Sequence, residues 1–525
     1  MKFSTFILTL FIVFSTCVQA AVSDSLIRFK DLECNNETER NVLASFARDR
    51  RSVNLLDLFM VNYVSGESCN KETARERINE LLTYLKKETK GMEQAKAVKW
   101  IYKEVHKKFF KVYKMENSLC DVFSKGEFNC VSGTAIYVLV FKELGIPYQI
   151  MEAPQHVYLV AYPSSHKIVL ETTTPENGYF VFTEAYVTKY NKYLLESKLI
   201  TQQEFETSSS SNLFNKYYFS EQGLSNEDLI AIQYSNFASY YLNQNENQKA
   251  LEQIKKACFI RPNERNNYFL RVVLESVVLN CEYKTQKDVD NLALLCRYNA
   301  IDKREISNER IYYEFGRLMR EQLINNSEYS TFEKSYNLVS HAIADTSLSD
   351  QLAFAYHYEL ARIGYNNLAD RQTEMLHLKE AGKRKPRHAE LQNLVLLYMH
   401  RLIDRNNNPT QVMDLLDEFT ADFAFLNANE AVHIIRTNCY LELTYEYTMQ
   451  NKIEKAEKHL AQFEQLCQNQ PKFQTDDRYV EKAYSSVAMY YYKRGNTNKT
   501  REVLKRGLTY APENFGLKIR LSQAK

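Results

Sequence analysis

The chain has 525 residues, with 67 Lys and Arg against 65 Asp and Glu, a formal charge of +2 and a pI near 7.9. This balance includes no basic stripe of the kind nucleic-acid binding needs, and runs such as Lys383-Arg384-Lys385 fall at a predicted helix end, where they suit the dipole. Thirteen glycines leave little material for a phosphate-cradling loop, and no CxxC or HExxH spacing offers a metal site, so no cofactor or metal is expected.

The N-terminus reads as a secretory signal over residues 1–20. Lys2 supplies the charged start, Phe6 to Phe14 the apolar run, and Val18-Gln19-Ala20 the small-residue cleavage site. The apolar run is too short to span a bilayer, and no later stretch is apolar enough. The expectation is an extracytoplasmic protein, periplasmic or secreted, with no integral membrane segment after cleavage. The alternative is a lipoprotein acylated at Cys17. Ten cysteines minus Cys17 leave nine; eight could pair and leave Cys130 as the thiol. Cys34 with Cys69 and Cys281 with Cys296 are candidate bridges by proximity, while Cys258 and Cys439 read equally well as core residues.

Ala74 to Lys87 and Met92 to Tyr113 carry helical apolar spacing. His106 lies in the Lys-rich part of the second helix, on what reads as its polar face. After the loop-like Gly126-Glu127-Phe128-Asn129, a helix opens at Cys130: Ala135, Ile136, Leu139, Val140 and Leu144 recur at helical spacing, Gly145 closes it and Pro147 bars its continuation. A cysteine in the first turn of a helix meets a dipole that favours thiolate, the reactive form. His156 then opens a strand-like run to Tyr162, Pro163 to His166 reads as a turn, and Lys167 to Thr172 as the return strand. With the turn centred on Ser164 and Ser165, His156 faces Thr173, and Glu171 is its diagonal neighbour on the same face. A carboxylate beside an imidazole fixes its tautomer, and the imidazolium stabilises a thiolate. The candidate site is therefore Cys130 as nucleophile, His156 as base and Glu171 as the residue orienting the base. The backbone N–H of Cys130 would supply one oxyanion donor, with Asn129 and Gln155 as candidates for the second. Asp121 is near in sequence, and His166 reads as a solvated turn residue.

This order resembles the transglutaminase-like superfamily of papain-like folds, in the branch often joined to helical repeats. The resemblance rests on a cysteine opening a helix that ends in Leu144-Gly145-Ile146-Pro147, then the strand histidine His156, then an acid in the following strand, Glu171. It covers about 97–179 well and the rest of the first domain loosely. Two positions depart from the pattern: Glu171 stands before Thr172 where the family has Asp before Pro or Thr, and Tyr158 stands where Trp is common. The resemblance implies an α+β papain/transglutaminase-like domain and an acyl-enzyme formed on Cys130. Water as acceptor makes the protein a peptidase, amidase or deamidase, and an amine makes it a transglutaminase; the family favours hydrolysis.

That domain is expected over 21–207, followed by a Ser/Asn-rich linker at 208–225. From 226 to 525 the chain is helical and repeats in the tetratricopeptide (TPR) manner. One copy is Tyr234, Phe237, Ala238, Tyr241, Ala250, Ile254, Ala257 and Pro262; the last is Tyr484, Val487, Ala488, Tyr491, Leu504, Gly507 and Pro512. Drifted copies begin at Tyr358 and Tyr440, and 267–345 and 389–425 read as further helical pairs. The whole is an all-α TPR-type solenoid, expected to hold a protein or peptide partner on its concave face. Three glycosylation sequons, at Asn36, Asn325 and Asn498, are what chance gives in an Asn-rich chain. The rival to the enzyme reading is a non-catalytic scaffold with a degenerate transglutaminase-like domain, in which Cys130 is an unreactive core residue.

Overall fold

The computed structural model describes residues 26–50, 53–61, 70–153, 156–174, 178–218, 223–301, 308–367, 370–406 and 408–524. The expected signal segment, with Cys17, and also Cys69 and Gln155, lie outside these residues. The chain is mainly helical with a small sheet region, and it divides after residue 305 into two compact units. No helix among the described residues is long and apolar enough to cross a membrane.

The first unit opens with helices α1 (Glu37–Arg48), α2 (Leu55–Phe59), α3 (Lys71–Glu88) and α4 (Gln94–Phe109). The helix expected over Met92 to Tyr113 ends sooner. After Phe109 the backbone is extended, and β1 (Val112–Tyr113) pairs in parallel with β2 (Glu127–Phe128) around the short α5 (Leu119–Ser124). Next comes α6 (Cys130–Leu144), nearly all of whose residues from Val131 to Phe141 are buried. An apolar helix without a polar face must be covered on all sides, and α3, α2, α5 and a sheet pack on it. Gly145 closes it in the left-handed conformation at φ 67°, where a Cβ would be strained.

The sheet is a four-stranded antiparallel meander of β3 (Tyr148–Ala153), β4 (His156–Ala161), β5 (Ile168–Leu170) and β6 (Tyr179–Val181). Strand β4 pairs Leu159 with Leu170, Val160 with Val169 and Ala161 with Ile168, the register set by a turn centred on Ser164 and Ser165. Strands β3 and β6 have no counterpart in the sequence reading; β6 has only three residues and lies past a Thr- and Pro-rich stretch.

The segment expected as a linker contains a helix. After α7 (Glu184–Glu196) and α8 (Gln202–Thr207), α9 (Ser210–Tyr218) returns against α7, and Phe182, Tyr186, Tyr190, Phe214 and Tyr218 form an aromatic cluster with neighbouring ring centroids 4.7–6.4 Å apart. Helices α10 (Asn226–Asn243), α11 (Asn247–Ile260), α12 (Glu264–Asn280) and α13 (Gln286–Ile301) complete the unit. The repeat-like pair α10–α11 therefore belongs to the same compact unit as the sheet, and α10 packs on α6. A salt bridge buried completely on both sides fastens it: Lys256 Nζ donates to both carboxylate oxygens of Glu39 at 2.9 and 3.0 Å, and the Tyr234 hydroxyl donates to the same group at 2.8 Å.

The second unit is a solenoid-like succession of helices: α14 (Asn308–Met319) with a π-helical continuation (Arg320–Asn325), α15 (Tyr329–His341), α16 (Thr346–Asn367), α17 (Arg371–Arg384), α18 (Ala389–Ile403), α19 (Pro409–Asp422), α20 (Glu430–Met449), α21 (Ile453–Asn469), α22 (Asp477–Tyr492), α23 (Thr497–Tyr510) and α24 (Phe515–Gln523). Helices α16–α17, α20–α21 and α22–α23 form closely packed hairpins, and α20 also packs on α22. Small residues at the crossings explain the approach. A Cβ on Gly507 would lie 2.9 Å from the ring of the fully buried Tyr484.

The expected disulfide pattern is corrected. Cys34, Cys130, Cys258, Cys281, Cys296, Cys439 and Cys467 are thiols, so neither Cys34–Cys69 nor Cys281–Cys296 forms. Cys120 is disulfide-bonded. Cys258, Cys296, Cys439 and Cys467 are buried in helices, where they pack as small apolar groups.

Candidate functional site

Cys130 is the first residue of α6. Asn129 caps that helix, its carboxamide oxygen accepting from the N–H groups of Val131 and Ser132, both at 2.9 Å, while its own N–H donates to Ser132 Oγ. The Gly133 N–H goes to the Asn129 carbonyl at 2.9 Å. The cap thus takes the amides after Cys130 and leaves the N–H of Cys130 aimed out of the helix start.

His156 opens β4, and its Nε2 lies 2.5 Å from Glu171 Oε2, just past the end of β5. The Cys130 side chain lies close enough to the imidazole to favour its protonated form. With Nε2 engaged by the carboxylate, Nδ1 is the nitrogen left for sulfur. The other oxygen of Glu171 accepts from the Thr173 hydroxyl at 2.8 Å and its N–H at 3.2 Å. The structure therefore brings Cys130, His156 and Glu171 into one row.

The electrostatics follow. The Cys130 side chain and then Glu171 raise the His156 pKa from 6.5 to about 10, against the opposing effect of burial. Burial pushes the Glu171 carboxyl up, but hydrogen bonds from His156 and Thr173 outweigh it and hold the group below its ordinary value. Each partner stabilises the other's charged form.

Four residues hold the acid in place from below. The Tyr102 hydroxyl, on α4, is 2.8 Å from the Glu171 carbonyl and 3.0 Å from that of Thr174. His106, one turn on, is buried rather than on a polar face. Its Nε2 lies 3.1 Å from the Thr172 carbonyl and its Nδ1 2.7 Å from the Tyr137 hydroxyl of α6. Burial lowers the His106 pKa. Nε2 faces only a carbonyl, so the neutral ring carries its proton there, and the Tyr137 hydroxyl sits between Nδ1 and the Tyr102 carbonyl, 3.0 Å away. Gly133 lets α6 approach, since a Cβ there would lie 3.1 Å from Thr172 Oγ1. The sequence signal for His106 was present: Val98, Ile101, Tyr102, Val105, His106 and Phe109 form one buried stripe.

The row lies in a cleft of about 460 Å³. Tyr113, Met115, Asn129, Cys130, His156 and Val157 form one side, and Gln233, Asn236, Phe237, Ser239, Tyr240 and Asn243 of α10 the other. At its rim Glu152 is held by Arg261 at 2.8 Å and Arg265 at 2.9 Å. This polar wall, supplied by a helix about a hundred residues later in the chain, carries no local sequence signal.

The remaining expected residues have other work. Asp121 caps α5, accepting from the Ser118 N–H and hydroxyl, both at 2.8 Å. Asn129 donates one amide N–H to the Met115 carbonyl at 2.9 Å and gives its oxygen to the cap, which holds its side chain at the start of the helix. His166 is exposed in the turn, as expected. No cluster of three His, Cys, Asp or Glu side chains suited to a metal occurs among the described residues. No protein-family model matches the chain, and no curated protein matches it in sequence.

Proposed function

We propose that the first unit is a transglutaminase-like cysteine enzyme that cleaves a peptide or amide bond through Cys130, His156 and Glu171. The observation that carries this reading is the row of sulfur, imidazole and carboxylate at an open cleft, with the imidazole hydrogen-bonded to the carboxylate and the sulfur at a helix start. The thiolate attacks the carbonyl carbon, and the imidazolium of His156 gives its proton to the departing amine. Water, activated by the now neutral imidazole, then releases the acyl group. Glu171 keeps the ring oriented through both steps. The later helices, as TPR-type repeats, hold a protein or peptide partner. The expected export fits the disulfide at Cys120, because disulfides persist in oxidising compartments.

The test is the rate of Cys130 alkylation by iodoacetamide against pH, beside a His156→Ala variant. Rapid labelling at about pH 6, below the ordinary thiol range, that collapses in the variant supports an activated nucleophile. Slow labelling that ignores the variant sinks the enzyme reading in favour of a scaffold.

A further inference from the structure

The proposed reaction needs two hydrogen-bond donors for the oxyanion of the tetrahedral intermediate. The N–H of Cys130 is one. The Asn129 carboxamide is held between the helix cap, through its oxygen, and the Met115 carbonyl, through one of its N–H groups. Gln233, across the cleft, is likewise tethered, with one Nε2 hydrogen on the Asn117 carbonyl.

We propose that the hydroxyl of Tyr113 is the second oxyanion donor, an assignment that rests on the cysteine-enzyme reading. Tyr113 ends β1, and its register partner is Phe128 of β2, two residues before Cys130. The strand pairing therefore fixes the Tyr113 backbone beside the loop that delivers the nucleophile. The ring packs edge-on against Phe128, with centroids 5.9 Å apart, and the side chain lines the cleft together with Cys130 and His156. The residue is half exposed, 50 %, although it is a large aromatic on a two-residue strand. Its side chain is thus open to the cleft that it lines. Burial, then the nearby charges of Cys130, Glu171 and Glu116, raise the phenol pKa, so the hydroxyl keeps its proton and can donate at neutral pH.

In the step itself, a sulfur electron pair forms the C–S bond while the carbonyl π pair moves onto oxygen. That oxygen accepts from the Tyr113 O–H and the Cys130 N–H. When the pair returns, the C–N bond breaks and the amine leaves with the proton of His156. Tyr113 remains protonated throughout, so the step balances without a further reactant.

The experiment compares two reactions at Cys130 in the full chain. Acylation by p-nitrophenyl acetate, read as the nitrophenolate burst with Cys130→Ala subtracted, passes through an oxyanion. Alkylation by iodoacetamide, read by mass at the Cys130 peptide, does not. In Tyr113→Phe, acylation should slow at least about tenfold while alkylation moves by less than about twofold. Unchanged acylation overturns the proposal. An equal loss in both reactions also overturns it, because Tyr113 would then support Cys130 itself. Dependence of alkylation on His156 reads the function separately, so a failure of the enzyme reading and a failure of the donor assignment are distinguishable.

Discussion

The buried ring of His106 donates from Nε2 to the carbonyl of Thr172, one residue beyond the acid that pairs with His156. The bond reaches from α4 to the end of the hairpin and fixes the height of Glu171. His106→Leu leaves the Thr172 carbonyl and the Tyr137 hydroxyl without this partner, a loss of about 1–3 kcal/mol, measurable by urea unfolding.

His106 and His156 should tilt the pH-stability curve in opposite directions. Burial lowers the folded-state pKa of His106, so below the ordinary 6.5 the unfolded chain binds a proton that the folded chain refuses. Stability therefore falls as pH drops through that window. His156 is raised from 6.5 to about 10, so its contribution is full below 6.5 and is lost as pH climbs towards 10. Unfolding of His106→Leu and His156→Leu across pH should remove the acid-side and the alkaline-side slope respectively.

Glu171→Gln keeps the size and an acceptor but removes the charge that, after the Cys130 side chain, holds His156 protonated. The alkaline limit of Cys130 acylation should shift down from near 10 towards 6.5, and turnover should fall by about 100-fold or more. A pH–rate profile of the nitrophenyl acetate reaction checks both, and an unshifted limit would separate Glu171 from the imidazole.

Gly178 marks a close approach on the same strand end. A Cβ there would lie 2.1 Å from both the Glu171 carbonyl and the Tyr102 hydroxyl. Gly178→Ala should therefore push the acid out of register, costing about 1–3 kcal/mol, and should slow Cys130 alkylation without touching any side chain of the row. Thermal unfolding and iodoacetamide labelling measure the two effects.

Lys256 and Glu39 test the internal fastening. Either Lys256→Met or Glu39→Leu alone leaves a buried charge uncompensated and should cost about 3–5 kcal/mol. The double variant Lys256→Met, Glu39→Leu should recover much of that loss, because the desolvation penalty disappears with the charges. A double-mutant cycle in urea reads the coupling directly.

The hairpin was legible because its turn is short and polar: centring it on Ser164 and Ser165 sets the pairing of Leu159 with Leu170 and places His156 diagonal to Glu171. The start of α6 was legible for a similar reason, since Asn129 and Gly145 cap a continuous apolar run. His106 was misplaced because the lysines around it suggest a wet face, while the stripe from Val98 to Phe109 turns it inward. Tyr113 was read as helix because β1 is two residues long, too short for a period of two to register. The helix at Ser210–Tyr218 hid in a serine-rich stretch, because its anchors, such as Phe182, Asn191 and Leu194, lie in other segments. In each case the missing information is which distant segment supplies the partner.

The Leu224 N–H donates to the Ile150 carbonyl at 2.9 Å, so the chain adds a bridge to β3 on its way into α10. Repeat arrays lengthen and shorten by whole repeats because each contacts only its neighbours. Here the helix pair that most resembles a first repeat is not free to be shuffled: excising it would strip the sheet of that bridge, strand the Glu39 carboxylate in an apolar interior and open one side of the cleft to water. The pair before residue 305 therefore belongs to the folding unit of the sheet and is not a separable repeat.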